Sequence, residues 1–282
     1  MNISSNILYL LSEKFYHKRK PTVQNFSEIN DLYFNKQYDK LVVGGLGLPL
    51  SIRGKNILEI GCGHGGNCSY FANNGASKVI GIDIDERRLE YARQKDLMNV
   101  SYLKMDAANI NLPDNHLDII FAPNVFEHFV NADKVLSECY RILKPGSKLV
   151  INPVSSIYSS TGAHLKHGIG LPWVNLFFSE KNICITLDKL SRKYPEIKKF
   201  YPGLKNNPTK IVDLRKSKDL NYLDYKALKK LFKKNNFFIE YQRIHTFPDK
   251  FFRIINSKFF KNSFFADVFS KSATFIIKKV NN

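Results

Sequence analysis

Residues Asn56 to Gly66 read NILEIGCGHGG. Ile57, Leu58 and Ile60 form the short apolar run of a strand buried on both faces in a parallel sheet. Four glycines follow, Gly61, Gly63, Gly65 and Gly66, and a helical pattern begins near Asn67. A strand that passes through glycines into a helix brings backbone close to a ligand, because no Cβ blocks the approach. Two cofactors fit these residues. Gly61, Gly63 and Gly66 satisfy the dinucleotide spacing G-x-G-x-x-G. The same glycines, led by the acid Glu59, also fit a different ligand.

Outward from this stretch the chain alternates strand and helix. A helix at about 67–74 ends at Gly75, and KVIGID (Lys78–Asp83) is a second strand. A charged helix over Asp85–Lys95 leads to a third strand, Val100–Lys104, which stops before Asp106. After a turn at Asn111–Asn115 come a fourth strand (Leu117–Phe121), a helix (Ala132–Leu143) with Val135, Leu136 and Cys139 on one face, and a fifth strand (Ser147–Ile151). Repeats of this length imply an α/β fold with a doubly wound, mostly parallel Rossmann-like sheet. Residues 155–222 break the rhythm, with short helices expected at about 173–179 and 184–193. The pattern returns as a basic amphipathic helix (Tyr225–Asn235) and two late strands (Phe237–Thr246 and Ala273–Val280), expected as antiparallel neighbours at one sheet edge. The expected organisation is a helical cap over 1–50, a cofactor-binding core over 51–154, an inserted substrate lid over 155–222, and a sheet-completing segment over 223–282.

The chain has 282 residues and a net charge of +18, and its placement is uneven. Residues 50–155 carry 12 basic and 12 acidic side chains, whereas residues 156–282 carry 25 and 9. Nucleic acid, anionic lipid or a phosphorylated acceptor would each account for a basic half, as would a generally lysine-rich composition. No apolar run reaches the length of a membrane span, and no signal-peptide pattern opens the chain. Cys62, Cys68, Cys139 and Cys184 form no C-x-x-C pair, which fits a cytoplasmic location and gives no metal site. Lys250–Phe269 mixes phenylalanines with basic residues, as an interfacial helix does, and also suits a surface helix packed on the sheet.

Taken together, the motifs resemble the class I S-adenosylmethionine-dependent methyltransferases, in the branch of small-molecule and quinone-biosynthesis enzymes. ILEIGCGHGG resembles that family's first motif, MDA (Met105–Ala107) its adenine-side motif, LDIIFAPNVFEHF its fourth motif and RILKPGSKLVI the helix–turn–strand that closes the core. The likeness covers about residues 52–153. It implies S-adenosylmethionine as cofactor, with Gly61 and Gly63 against it and Glu59 on the methionine ammonium, directly or through water. Asp83, 24 residues after Glu59, would accept both ribose hydroxyls. Ile84 would pack on the adenine face, and Asp106 and the Ala107 N–H would meet the adenine edge. Asn124 would reach the methionine part or the acceptor.

Methyl transfer from a sulfonium releases a neutral leaving group, so positioning supplies most of the rate and a base is needed only for a hydroxyl or protonated amine. Candidate bases are His128 in VFEHF and, in GAHLKHGIGLPW, His164 and His167. The expected function is methyl transfer to a small or conjugated acceptor, such as a sugar or a lipid-linked cell-surface precursor. An RNA methyltransferase is the alternative, although the N-P-P-Y type motif is absent. A nicotinamide-dependent oxidoreductase shares the glycines and Asp83 but leaves MDA and NVFEHF unexplained. Contact with an anionic membrane surface is a further expectation. Nucleic acid stays open as a partner, and the oligomeric state is not readable.

Overall fold

Strand β1 (Asn56–Ile60) lies at the centre of a seven-stranded sheet in the order β3-β2-β1-β4-β5-β7-β6. The computed structural model describes residues 3–16, 50–160, 162, 169–195, 197, 221, 223–246, 255–257 and 260–280. Strand β1 is parallel to β2 (Lys78–Asp83) on one side and to β4 (Leu117–Ala122) on the other. Glu59 stands opposite Gly81 and Phe121 in this register. Strand β3 (Val100–Lys104) flanks β2, and β5 (Leu143–Val154) flanks β4, both parallel. The sheet is mostly parallel, with antiparallel last strands β6 (Phe237–Thr246) and β7 (Ser270–Lys279), as expected from the sequence.

Helices of the core follow their apolar spacing. Helix α2 (Gly66–Asn73) buries Cys68, Tyr70 and Phe71, and Phe71 stacks on Phe121 of β4 with ring centroids 4.5 Å apart. Helix α3 (Glu86–Arg93) begins one residue later than the sequence suggested, because Asp85 caps it by accepting from Arg87 N. Helix α4 (Ala132–Ile142) starts at Asn131, whose side chain accepts from Lys134 N, and turns Val135, Leu136, Cys139 and Ile142 inward.

One boundary differs more. The turn expected at Pro145-Gly146 lies within β5. Leu143 pairs with Leu117, and Lys148 with Ile119, so the extra residues bulge out of the strand around Gly146, at φ 75°. The strand therefore starts at Leu143 rather than Ser147.

The chain divides into two compact units. One holds residues 23–153, 230–242 and 274–282, and the other 1–22, 154–229 and 243–273. In the first, Phe232 of helix α7 (Tyr225–Lys234) meets Phe126 and Phe275 edge-to-face. In the second, helix α1 (Ile3–Tyr16) packs on α6 (Glu180–Lys193). Lys189 Nζ donates to Asn6 Oδ1 at 2.8 Å, and Leu8 joins a core with Ile183, Leu187 and Leu190. Helix α6 begins four residues before the expected start, because Ser179 caps it and Ile183, Leu187 and Leu190 recur at helical spacing. The short α5 (Val174–Phe177) precedes it. Most of the expected N-terminal cap, residues 17–49, lies outside the described residues. Of the aromatic-basic stretch at 250–269, the described part contains helix α8 (Phe264–Val268).

Candidate active site

The glycine loop is shaped by close contact on one side and open space on the other. Gly61 and Gly63 have φ of 71° and 52°, in the left-handed region that disfavours side chains. A Cβ on Gly61 would come within 2.7 Å of Val125 Cγ2, whereas a Cβ on Gly63 would meet nothing within 4 Å. Gly61 therefore lets the chain after β4 approach, and Gly63 offers bare backbone to a ligand.

The loop is tied to the end of β2. Gly61 N and Cys62 N both donate to Ile82 O, at 2.8 and 3.0 Å. Gly63 N donates to Asp83 Oδ2 at 2.9 Å, and Asp85 N donates to Asp83 Oδ1 at 2.9 Å. Asp83 is buried, yet the next residue, Ile84, is 72% exposed. Met105 N donates to Asp83 O, which brings the end of β3 alongside.

These residues line one edge. In the order β3-β2-β1-β4 the strands place Asp106, Asp83, the glycine loop and Asn124 side by side at their carboxyl ends. Three strand spacings cover roughly 14 Å, enough for adenine, ribose and methionine in sequence. Asp106 is exposed and uses Oδ1 to accept from Ala108 N at 2.8 Å, so it also caps its own turn. Ala107 is buried. Asn124 is exposed with φ 50°, in the turn after β4. His128 is exposed at the end of a single 3-10 turn, Phe126–His128. His164 and His167 lie outside the described residues.

Glu59 is placed differently from the simplest expectation. Its side chain is buried beneath the loop, and both oxygens are used internally: Asn67 Nδ2 donates to Oε1 at 2.5 Å and Cys68 Sγ donates to Oε2 at 3.0 Å. Burial pushes its carboxyl up to about 7, against the opposing pull of the Cys68 and Asn67 hydrogen bonds. Asn67 Oδ1 is buried and has no hydrogen-bond partner among the described residues. An acceptor of that kind at the head of α2 suits a donor group on a ligand.

Asn67, Cys68, Tyr102 and Gly81 were not singled out by sequence reasoning. A Cβ at Gly81 would lie within 2.9 Å of Cys68 Sγ, Cys62 Sγ and Tyr102 Cδ1, so this glycine makes room beneath the loop. Tyr102 OH donates to Gly65 O at 3.3 Å. The sequence signal was slight: a polar Asn67 in the first turn of a helix without a side-chain cap.

The residues fit S-adenosylmethionine. Asp83 has further lone pairs for ribose hydroxyls, Ile84 is free to cover a base, and Gly63 leaves room for the ligand.

Comparison with known proteins agrees. Residues 58–151 match the model of a methyltransferase domain. The "Probable S-adenosylmethionine-dependent methyltransferase" of Mycolicibacterium smegmatis is 32% identical over 109 residues, covering 39% of this chain and 42% of that protein. A ubiquinone biosynthesis O-methyltransferase of Coxiella burnetii is 26% identical over 122 residues, covering 40% and 52%. The chain thus spans about half or less of the length of these curated relatives. In fold, an S-adenosylmethionine dependent methyltransferase from Mesorhizobium loti superposes with a TM-score of 0.52 at 16% identity, over 82% of this chain and 93% of its own. Residues 58–151 thus match a methyltransferase domain, and the strand order of the sheet and the S-adenosylmethionine-dependent relatives agree with that match.

Proposed function

We propose that this chain transfers a methyl group from S-adenosylmethionine to a small or conjugated acceptor, a class that includes sugars and lipid-linked precursors. The observation that carries the reading is Asp83, whose two oxygens hold Gly63 and Asp85 while Ile84 stands exposed beside it. Ribose hydroxyls would add to the same carboxylate, and Ile84 would cover the base. Gly63 would lie against the methionine part, with Asn124 at its far side. Glu59 would act through Asn67, orienting the amide so that Oδ1 accepts from the ligand's ammonium.

When bound, the cofactor supplies a methyl group on a positively charged sulfur. Gly63, Asp83 and Asn67 would hold that cofactor, whose methyl carbon would be open to the acceptor's lone pair with a neutral sulfide as the leaving group. The protein's part is alignment, worth several orders of magnitude in rate. If the acceptor is a hydroxyl, its proton needs a base. His128, exposed after β4, is one candidate, and His164 and His167 are the others. Support for a small acceptor comes from the ubiquinone-pathway O-methyltransferase among the relatives.

The test is radiolabelled methyl transfer from S-adenosylmethionine into pools of metabolites, nucleotide sugars, lipid-linked sugars and total RNA. Label in a sugar or lipid fraction supports the reading. Label in RNA alone replaces it with the nucleic-acid alternative.

A further inference from the structure

Helix α8 is turned inside out. Its charged residue, Asp267, is 4% exposed, with Ala266 at 1%, whereas Phe264 and Phe265 are 55% and 54% exposed. The inversion has a tertiary cause. Asp267 Oδ1 accepts from Ser156 Oγ at 2.5 Å and from Tyr225 N at 2.8 Å, so the carboxylate is fixed inward as the partner of two buried donors. Phe265, two residues before Asp267, is thereby turned to the opposite face, and Phe264 is exposed beside it. Phe260 extends the patch: it is 39% exposed and meets Phe265 edge-to-face at 6.3 Å, while Phe264 meets Tyr158 at 5.3 Å. Adjacent exposed rings of this size mark an interaction surface.

The charge around the patch is mainly basic, with Asp224 at the start of α7 the acid beside it. The described cations nearest it are Lys226, Lys229 and Lys261, and the acid of α8 itself, Asp267, is buried. Lys261 sits beside Phe260 in sequence. Lys229 Nζ donates to Asn262 Oδ1 at 2.8 Å and so lies on the same turn, with exposed Lys226 one helical turn before it. Apolar rings projecting from a cationic rim match the two layers of an anionic bilayer surface, acyl boundary within and phosphate outside. Stacking on nucleic-acid bases fits less well. These rings are engaged edge-to-face with one another and with Tyr158, and phenylalanine carries no polar group to meet a base edge.

We propose that the outward face of α8, Phe260, Phe264 and Phe265 among Lys226, Lys229 and Lys261, docks on an anionic lipid bilayer. This goes beyond the methyl-transfer reading and does not depend on it. It places the chain at the surface where a lipid-linked acceptor would be met.

The experiment is co-sedimentation of the full chain with vesicles of phosphatidylcholine alone and of phosphatidylcholine with phosphatidylserine, at low and high salt. The expected result is binding to the phosphatidylserine vesicles that salt weakens. It should fall about tenfold or more in Phe264→Ser/Phe265→Ser and in Lys226→Glu/Lys261→Glu, with S-adenosylmethionine binding unchanged in both. The charge-reversal pair keeps the test decisive if the phenylalanine pair fails to fold. Equal binding to both vesicle types, binding unaltered by either pair, or a dimer in solution that Phe264→Ser/Phe265→Ser dissolves would each overturn the proposal. Loss of S-adenosylmethionine binding by the unmodified chain would instead strike the methyl-transfer reading and leave the docking result standing.

Discussion

Gly63 N donates to Asp83 Oδ2 across 2.9 Å, and this bond joins the glycine loop after β1 to the end of β2. The other oxygen of the same carboxylate accepts from Asp85 N, so one side chain fixes the loop and starts the next helix. Replacing Asp83 by Ala removes both bonds and the acceptor proposed for the ribose. Hydrogen bonds to a charged group contribute roughly 1.5–3 kcal/mol each. S-adenosylmethionine affinity in Asp83→Ala should therefore fall about tenfold or more, read by calorimetric titration. Circular dichroism should show the sheet retained.

Gly61 and Gly63 separate fold from ligand. In Gly61→Ala the new methyl group meets Val125 Cγ2 at 2.7 Å on a left-handed backbone. That variant should lose about 2–4 kcal/mol of stability by urea denaturation, from overpacking added to backbone strain. In Gly63→Ala the protein offers no clash within 4 Å, and φ is again left-handed. Its loss of stability should be only about 1–2 kcal/mol, while S-adenosylmethionine binding drops about tenfold or more. Equal loss of both properties in the two variants would contradict the division of roles.

Burial holds the Glu59 carboxyl at about 7 in the folded chain, against an ordinary value of 4.5. Between those values the folded protein keeps a proton that the unfolded chain has released. The stability from the neutral carboxyl is full below the unfolded value and is lost as the pH rises through 7. The difference amounts to about 3 kcal/mol. Glu59→Gln should remove this component. Unfolding midpoints of the two proteins, compared from about pH 4.5 to about pH 8, should converge at the acid end and favour the variant at the alkaline end. A constant offset across the range would contradict a protonated Glu59.

Arg141 of α4 secures the chain that follows Asp106. Its guanidinium donates to Leu112 O and Ile110 O at 2.8 and 2.7 Å, and pairs with Glu138 and Asp114. Glu138 in turn accepts from Ile110 N, and the arginine beside it holds its carboxyl below the usual range. Arg141→Met should cost about 2–3 kcal/mol, because two carbonyls and a half-buried carboxylate lose their partner. Hydrogen exchange of residues 108–115 should rise in this variant more than that of β1.

What was readable in the sequence was whatever depends on local pattern. NILEI, KVIGID and LDIIFA are apolar runs bounded by glycine or a charge, and they are β1, β2 and β4 almost to the residue. The bulge in β5 was hidden because Pro145-Gly146 reads as a turn whether it ends a strand or bends one. The position of Asp83 at the end of β2 was legible from the strand pattern, whereas its bonds to Gly63 N and Asp85 N were not. Glu59 was harder: its partners Asn67 and Cys68 lie eight and nine residues on, across a loop, and only packing brings them beneath it. Gly81 was read as part of a strand, since the side chains it makes room for come from three other segments. The outward turn of Phe265 on α8 follows from Asp267 bonding Ser156 more than a hundred residues away, which no periodicity encodes.

The central claim is that the edge formed by Gly63, Asp83 and Ile84 holds S-adenosylmethionine. Isothermal titration of the purified chain with S-adenosylmethionine, and in parallel with NAD, tests it most directly. The account predicts saturable binding of S-adenosylmethionine at one site per chain, weakened about tenfold or more in Asp83→Ala, and no binding of NAD. Binding of NAD without binding of the methyl donor would contradict it.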